Sequence, residues 1–131
     1  MKFSIITTTY NSAQTIFKCV SSLKNQTYKN IELIWIDNSS VDATYKILNK
    51  NKNKNTKLIK LKNKSISEAW NIGIRKSTGD IIGFLNSDDV LSNKTVIKKI
   101  SKIFKSKKCN MVYTAIHYVN KKGKIIRNWK A

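Results

Sequence analysis

The chain alternates short apolar runs with stretches in which apolar residues recur at helical spacing. The run from Phe3 to Thr9 is rich in β-branched residues and predicts a strand. A helix should follow, because apolar residues recur every three or four positions between Ala13 and Leu23, with Asn11 or Ser12 placed to cap it. This unit of a strand followed by a helix repeats along the chain, which predicts an α/β protein.

The next two units follow the same pattern. Ile31 to Ile36 predicts a strand, and apolar residues at helical spacing from Val41 to Leu48 predict the helix after it. A short strand is predicted at Leu58 to Leu61. The segment Ser65-Ile-Ser-Glu68 then has the form of a capping box, and we expect it to begin a helix that runs to about Arg75.

The last part of the chain predicts one more unit and a hairpin. Ile81 to Leu85 is a short continuous apolar run, typical of a strand that is buried on both faces. A helical pattern from Val96 to Phe104 follows, and Met111 to Val119 predicts a strand that turns at Asn120 to Gly123 into Lys124 to Trp129. Right-handed crossovers would give a mostly parallel, three-layer α/β sandwich with a C-terminal antiparallel hairpin, in a single domain.

Composition narrows the class of protein. With 40% apolar residues the chain can bury a core, so a wholly disordered chain is excluded. No apolar run approaches the roughly 18 to 20 residues of a membrane-spanning helix, and no signal-peptide core is present, so we expect a cytoplasmic location. Cys19 and Cys109 fit no metal-binding spacing and are expected to be reduced, buried thiols. The absence of a glycine-rich phosphate loop argues against dinucleotide-binding dehydrogenases and P-loop NTPases.

The charge is strongly unbalanced, with 26 Lys and Arg against 7 Asp and Glu and a formal net charge of +19. Such a surface attracts polyanions, and the attraction weakens as salt rises. Lysine-rich runs at Lys46 to Lys64 and Lys94 to Lys108 are read most simply as solvated faces, but they would also suit peripheral docking on the anionic inner face of a membrane. Nucleic acid is the weaker alternative, because no aromatic residue interrupts the first run.

Polar side chains gather where three of the predicted strands end. They are Thr8, Tyr10 and Asn11 after the first strand, Asp37 and Asn38 after the second, and Asn86, Asp88 and Asp89 after the fourth. Open α/β sheets bind ligands at this edge. Two adjacent carboxylates on a tight turn suit Mg²⁺ or Mn²⁺, and such an ion would neutralise a diphosphate leaving group. Alternatively, one of the two carboxylates caps the following helix and Asn86 completes an Asx turn.

Four segments also resemble a known family in order and spacing. They are Ser4 to Asn11, Ile31 to Thr44, Ala69 to Gly73, and Thr78 to Asp89. Together they resemble the N-terminal half of the family-2 inverting glycosyltransferases. The resemblance implies a GT-A type fold, a divalent metal, and transfer of a sugar with inversion. The donor would be a nucleotide-diphosphate sugar, and the acceptor a hydroxyl on a surface glycan or its lipid carrier.

The resemblance also implies site residues. The nucleotide-binding residues would be Thr8, Tyr10, Asn11, Asp37, Asn38, Asn71 and Ser87, and the metal-binding residues Asn86, Asp88 and Asp89. Among them Tyr10 is expected near the base, and Asp37 and Asn38 at the base or ribose. In the Ala-x-Asn-x-Gly segment, we expect Trp70 to pack in the core and Gly73 to allow close helix packing.

Two positions depart from the family pattern. Asn38 stands where many members carry Asp, so the preference for uridine is open, although a UDP-sugar remains the favoured donor. Asn86 replaces the first Asp of the Asp-x-Asp segment. Its carbonyl oxygen can still bind a metal but carries no charge, which makes Asp88 the main expected ligand.

No carboxylate follows Asp89, and the sequence therefore identifies no general base for the transfer. Family members usually continue well beyond this length with a part that shapes the acceptor site. We expect the chain to be a donor-binding portion that transfers little sugar alone, with self-association left open. The alternatives are a catalytically silent nucleotide-sugar-binding module and a basic nucleic-acid-binding domain.

Overall fold

The computed structural model describes residues 1–107, 109–120 and 122–130, which form two compact units, Met1–Lys98 and Lys99–Ala131. Its elements are β1 (Phe3–Thr9), α1 (Ile16–Lys24), β2 (Ile31–Asn38), α2 (Thr44–Asn51), β3 (Thr56–Leu61), α3 (Ile66–Lys76), β4 (Ile81–Phe84), α4 (Val96–Ser106), β5 (Ile116–Val119) and β6 (Ile125–Trp129). The expectation of a single domain stays a prediction. Lys108 and Lys121, which belong to the predicted basic run and hairpin turn, lie outside the described residues.

The first unit is built on a four-stranded parallel sheet in the order β3-β2-β1-β4. Phe3 of β1 pairs with Ile31 of β2 on one side and with Ile81 of β4 on the other, so these strands start level. Their carboxyl ends consequently share one edge of the sheet. The chain places β4 on the opposite side of β1 from β2 and β3, which creates the topological switch point where α/β sheets bind ligands. The predicted mostly parallel architecture is confirmed.

Both faces of this sheet are covered. On one face Ile6, Ile34 and Ile36 form a buried cluster with Ala69 of α3. Trp35 lies between Ile34 and Ile36 along β2, so its side chain belongs to the opposite face, and it is fully buried as well. Burial on both faces explains why β1 and β2 read as continuous apolar runs rather than as alternating patterns.

Helix α3 begins and packs as the sequence predicts. The capping box is present: the Glu68 amide donates to Ser65 Oγ over 3.2 Å, and the Ser65 amide donates to the Glu68 carboxylate over 2.9 Å. Gly73 lets the helix approach the sheet, since a Cβ at this position would lie 2.7 Å from a methyl carbon of Ile6 and 3.1 Å from one of Ile36. The expectation of close helix packing at Gly73 is confirmed.

The starts of the first two helices were predicted too early. Helix α1 begins at Ile16, with Thr15 at its N-cap position, so neither Asn11 nor Ser12 caps it. Helix α2 begins at Thr44 and leaves Val41 outside, with its side chain 89% exposed. The residues between strand and helix instead form loops whose polar groups bond to one another at the carboxyl edge of the sheet.

Two strand predictions need correction. The run Ile81 to Leu85 was expected to be buried on both faces, but β4 ends at Phe84, and Phe84 is 50% exposed. The reason is its position: β4 is an edge strand that pairs only with β1 in the first unit. The strand predicted from Met111 is confined to Ile116–Val119, the length over which its partner β6 pairs with it.

The second unit contains the predicted antiparallel hairpin of β5 and β6. Gly123 has a left-handed φ of 79°, and its amide donates to the Asn120 carbonyl over 2.9 Å, as a hairpin turn requires. His117 is exposed, and its Nδ1 lies 2.6 Å from Asn128 Oδ1 on the paired strand. Among the described residues, no helix combines the length and apolar character needed to cross a membrane.

The amino-terminal edge of the parallel sheet is organised around the buried carboxylate of Glu32. Ser4 Oγ and both the amide and hydroxyl of Thr78 donate to it, while the Nζ atoms of Lys2 and Lys57 each lie 3.3 Å from Oε2. Burial by itself would raise the pKa of Glu32, but the hydrogen bonds from Ser4, Thr78 and Lys57 outweigh it and lower the pKa to about 2. Glu32 therefore stays ionised and ties β1, β2 and the segment before β4 together.

Candidate functional site

At the opposite, carboxyl edge, the buried carboxylate of Asp37 connects the loops that follow β1 and β2. Thr9 Oγ1 donates to Asp37 Oδ1 over 3.2 Å, and the Ser40 amide donates to Oδ2 over 3.2 Å. Ser40 Oγ in turn accepts from the Asn11 amide at 3.0 Å, and Asn11 Oδ1 accepts from the Val41 amide at 3.0 Å. These bonds hold the loops after two adjacent strands in one conformation.

A second set of bonds links the same loops slightly further along the chain. The Ser12 amide donates to Thr44 Oγ1 over 2.7 Å. The carboxylate of Asp42 accepts from the amides of Thr44 and Ala13 at 2.9 and 3.0 Å. Hydrogen bonds from Thr44 and Ala13 hold the pKa of Asp42 below its usual value. Asp42 therefore remains an acceptor at neutral pH and fixes the start of α2.

Two further contacts join the loop after β4 to the loop after β1 and to helix α1. Ser12 Oγ lies 2.9 Å from Ser87 Oγ, and Cys19 Sγ donates to the Asn86 carbonyl over 3.3 Å. Burial raises the pKa of the Cys19 thiol to about 12, and the nearby Asp89 and Asp88 charges add to the shift, so this thiol keeps its proton. Hydrogen bonds thus connect the loops after β1, β2 and β4 at the carboxyl edge of the sheet.

Cys19 and Cys109 are both free. The first is buried as expected, whereas Cys109 is only partly buried, so that part of the expectation was wrong.

Asp88 differs from every other carboxylate in the chain. All seven lie within the described residues, and six accept at least one hydrogen bond there: Glu32, Asp37, Asp42, Glu68, Asp80 and Asp89. Asp88 is exposed and has neither a hydrogen bond nor an ion pair with any described residue. A free carboxylate on an otherwise bonded edge is available to an outside cation.

The donor set around Asp88 fits a hard cation with open coordination positions. Asn86 donates from its side-chain Nδ2 to Asp89 Oδ2 over 3.1 Å, and its side-chain oxygen Oδ1 accepts no hydrogen bond from the described residues. Within the described residues no group of three or more His, Cys, Asp or Glu could hold a metal alone. A cation here would therefore rely on Asp88, Asn86 and oxygen ligands supplied by a bound diphosphate or water.

Asn38 has a structural role that the sequence analysis did not identify. Its Nδ2 donates to the Lys64 carbonyl over 2.6 Å, while its Oδ1 accepts from the Lys64 amide at 3.0 Å. The side-chain amide thus pairs with both the N–H and the C=O of one backbone residue, as a neighbouring strand would. It fixes the loop between β3 and α3, immediately before the capping residue Ser65.

We predict that Asn38→Asp destabilises the protein, although it introduces the residue common in the resembling family. A carboxylate cannot donate to the Lys64 carbonyl and would lie against that oxygen, so the free energy of unfolding should fall by about 1–3 kcal/mol. Urea unfolding monitored by Trp fluorescence measures this change. Asn55→Asp, on an exposed loop, is the matched control and should have little effect. Unchanged or increased stability of Asn38→Asp would contradict the assigned role.

The structure brings most of the predicted site residues to one edge. Tyr10 is 63% exposed directly after β1, and Thr8 is half-buried near the end of the same strand. Asn71 is exposed on α3, and no hydrogen bond among the described residues joins it to the three loops. Next to it, Trp70 is only partly buried and contacts the half-exposed ring of Phe84 at a centroid distance of 5.4 Å, so simple core packing does not describe it.

The sequence did not indicate the residues that organise the loops, namely Ser12, Ser40, Asp42 and Thr44. A usable signal was present for two of them. Asp42 and Thr44 have the spacing of an Asx turn, in which a carboxylate accepts from the amide two residues later. The long-range bonds of Ser12 and Ser40 have no local signature.

Comparison with known proteins identifies the family of the chain. The model of glycosyl transferase family 2 matches residues 4–130. The chain is 40% identical over 109 residues to UDP-Glc:alpha-D-GlcNAc-diphosphoundecaprenol beta-1,3-glucosyltransferase WfaP of Escherichia coli, covering 77% of this chain and 43% of that protein. The chain belongs to glycosyl transferase family 2.

Solved structures show the same fold. S. aureus TarS 1-349 in complex with UDP-GlcNAc superposes with a TM-score of 0.74 at 30% identity, over 80% of this chain and 31% of that one. Mannosyltransferase PcManGT from Pyrobaculum calidifontis, in complex with GDP-Man and Mn²⁺, superposes with a TM-score of 0.75 over 92% of this chain and 36% of that one, at 19% identity. The GT-A type fold is therefore confirmed. The chain spans less than half the length of these relatives.

Proposed function

We propose that this chain forms the donor-binding part of a glycosyltransferase that takes a sugar from a nucleotide-diphosphate sugar. The donor would bind at the carboxyl edge of the parallel sheet. The observation that carries the proposal is the free, exposed carboxylate of Asp88 on an edge where the loops after β1, β2 and β4 are bonded together. Family membership and the nucleotide sugars named for TarS and PcManGT support the same assignment.

The chain's residues divide the work of donor binding. Asp88, with the carbonyl oxygen of Asn86, would hold Mn²⁺ or Mg²⁺, which when bound supplies positive charge that neutralises the diphosphate. Tyr10 is exposed and would stack on the base, and Thr8, Asn11, Asn71 and Ser87 would complete the proposed nucleotide site. The predicted contacts of Asp37 and Asn38 would be indirect, because Asp37 is fully buried and the Asn38 side chain is paired with Lys64, so both would act by holding the loops that carry the other residues. Ser12 and Ser87 keep the β1 and β4 loops in register, so that the groups on both sides of the donor are placed before it binds.

Transfer with inversion to a hydroxyl on a surface glycan or its lipid carrier is the proposed reaction, at the inner face of the membrane. We assign no general base: Glu32, Asp37, Asp42 and Glu68 hold the fold or the loops through their hydrogen bonds, and Asp88 is assigned to the cation. The second candidate function, a nucleotide-sugar-binding module without transfer of its own, is favoured by this observation. Both functions require the same donor site.

We predict that binding of the nucleoside diphosphate depends on metal. In calorimetric titrations of UDP and GDP, one nucleotide should bind more than about tenfold tighter with Mn²⁺ than without it, since the cation links Asp88 to the diphosphate. UDP is the nucleotide we expect. Equal affinity with and without Mn²⁺, or tighter binding of a single-stranded oligonucleotide than of either nucleotide, would overturn the proposal.

A further inference from the structure

The connection between β4 and α4 carries Asp88. It comprises residues 85–95, all of which the structure describes, and they form no helix or strand. Because Asp88 has neither a hydrogen bond nor an ion pair with any described residue, its place depends on the backbone of this connection. The Asp89 amide donates to the backbone carbonyl of Asn86 over 3.1 Å and closes a turn around Asp88. Whatever holds this turn therefore places the carboxylate that we assign to the cation.

Helix α1 contacts the turn through Cys19, which is fully buried. Its Sγ donates to the backbone carbonyl of Asn86 over 3.3 Å, so this oxygen accepts from both Cys19 and the Asp89 amide. A thiol is only a weak donor, but the buried sulfur atom also occupies space between the helix and the turn. Both effects keep the turn at one distance from α1.

Two further side chains bond the rest of the connection to the same region. Ser22 lies one turn further along α1, and its Oγ accepts from the Leu91 amide at 3.1 Å. Gln26 is buried just after the end of the helix. Its Nε2 donates to the Asn93 carbonyl over 2.8 Å, and its Oε1 accepts from the Ile97 amide at 3.1 Å. The connection is thus attached along its length, from the turn to the start of α4.

These contacts affect how a ligand can bind to the connection. A loop without fixed points has to be ordered by the ligand itself, which weakens binding. Here the loop is already held by contacts within the first unit, two of them to side chains that this unit buries. Groups that orient metal ligands from behind typically change metal affinity by about 10–100-fold when they are replaced.

We propose that Cys19, Ser22 and Gln26 are positioning residues for the cation site. They hold the β4–α4 connection so that Asp88 and Asn86 are in place before the cation and the diphosphate bind. Each acts through a backbone group of the connection or of the first turn of α4, and none is itself a ligand. The inference rests on the donor site proposed above and adds the buried residues that support it.

Calorimetric titration of UDP into Cys19→Ala, with and without Mn²⁺, tests the proposal. In the presence of Mn²⁺ the variant should bind UDP about tenfold more weakly than wild type, because a support of the metal ligands is lost. Its metal-free affinity should stay within about twofold of wild type, since the contacts assigned to the β1 loop are unchanged. Cys19→Ser keeps a donor at this position and should lose less Mn²⁺-dependent affinity than Cys19→Ala.

Val20→Ala is the matched control for a loss of stability alone. Val20 is the next residue of α1, is fully buried and has no polar side-chain group with which to hold the connection. In urea unfolding it should lower the free energy of unfolding at least as much as Cys19→Ala, because it removes a larger buried apolar group. Its Mn²⁺-dependent affinity for UDP should nevertheless equal that of wild type. An equal loss of affinity in Val20→Ala would overturn the inference.

Ser22→Ala provides a second test if Cys19→Ala does not fold. It removes the acceptor of the Leu91 amide, and it should weaken Mn²⁺-dependent UDP binding by at least about threefold. Wild-type Mn²⁺-dependent affinity in both Cys19→Ala and Ser22→Ala would overturn this inference and leave the donor site standing. Absence of Mn²⁺-dependent UDP binding in the wild type would instead overturn the donor site, and this inference with it.

Discussion

Glu32→Gln should lower the free energy of unfolding at neutral pH by about 3 kcal/mol, a large part of the stability of a domain this size. Glu32 is 5% exposed, and its carboxylate is the acceptor for Ser4, Thr78 and Lys57. An amide of the same shape removes the charge that Lys2 and Lys57 neutralise and turns two donor hydrogens toward other donors. The loss therefore comes from removing the charge of a buried acceptor, which leaves its hydrogen-bond donors and the two half-exposed lysines without their partner.

The same network predicts a pH dependence with a defined sign. The pKa of Glu32 falls from an ordinary value of 4.5 in the unfolded chain to about 2 in the folded protein. A lowered folded-state pKa contributes stability that is complete above pH 4.5 and is lost as pH falls toward 2, because the unfolded chain takes up the proton first. The difference in stability between wild type and Glu32→Gln should accordingly shrink between pH 5 and pH 2.

Urea unfolding at pH 7 and pH 3, followed by Trp fluorescence, measures both effects. Glu68→Gln is the matched control, since Glu68 is an exposed carboxylate in a capping box and its loss should cost much less. A difference between wild type and Glu32→Gln that is the same at pH 7 and pH 3 would show that the charge of Glu32 does not contribute. If Glu32→Gln lowers the free energy of unfolding at pH 7 no more than Glu68→Gln does, the charge of Glu32 likewise does not contribute at neutral pH.

The strands and the polar residues at their ends could be predicted from the sequence for one physical reason. A parallel strand covered on both faces must be apolar throughout, so a run such as Phe3 to Thr9 is visible, and so is the point where it stops. Because parallel strands end at a common edge, the residues that follow them could be grouped before the structure was known. The location of Asp88 with Tyr10 and Asp37 at one edge follows from this rule.

The partners of these residues could not be predicted, because they depend on contacts between distant segments. Asn38 pairs with the backbone N–H and C=O of Lys64, 26 positions away, and Ser12 with Ser87, 75 positions away. The exposure of β4 depends on its place at the edge of the sheet, which its own apolar sequence does not encode. That Asp88 is free while Asp89 is bonded to Asn86 also required the structure.

Asp88→Asn should remove most of the metal-dependent binding of UDP. The substitution keeps the shape of the side chain but replaces a free carboxylate with an uncharged amide. A hard divalent cation then loses the one charged oxygen ligand that the β4 loop offers without breaking another bond. We expect the affinity for UDP in the presence of Mn²⁺ to fall more than about tenfold, with no comparable loss of stability. Asp80→Asn makes the same chemical change at the other edge, where Asp80 bonds to the Lys2 amide.

The central claim is that the carboxyl edge of the sheet binds a nucleotide diphosphate through Asp88 and a cation. Calorimetric titration of UDP with Mn²⁺ into wild type, Asp88→Asn and Asp80→Asn tests it most directly. We expect wild-type affinity for Asp80→Asn and affinity close to the metal-free value for Asp88→Asn. Wild-type, metal-dependent affinity in Asp88→Asn would contradict it.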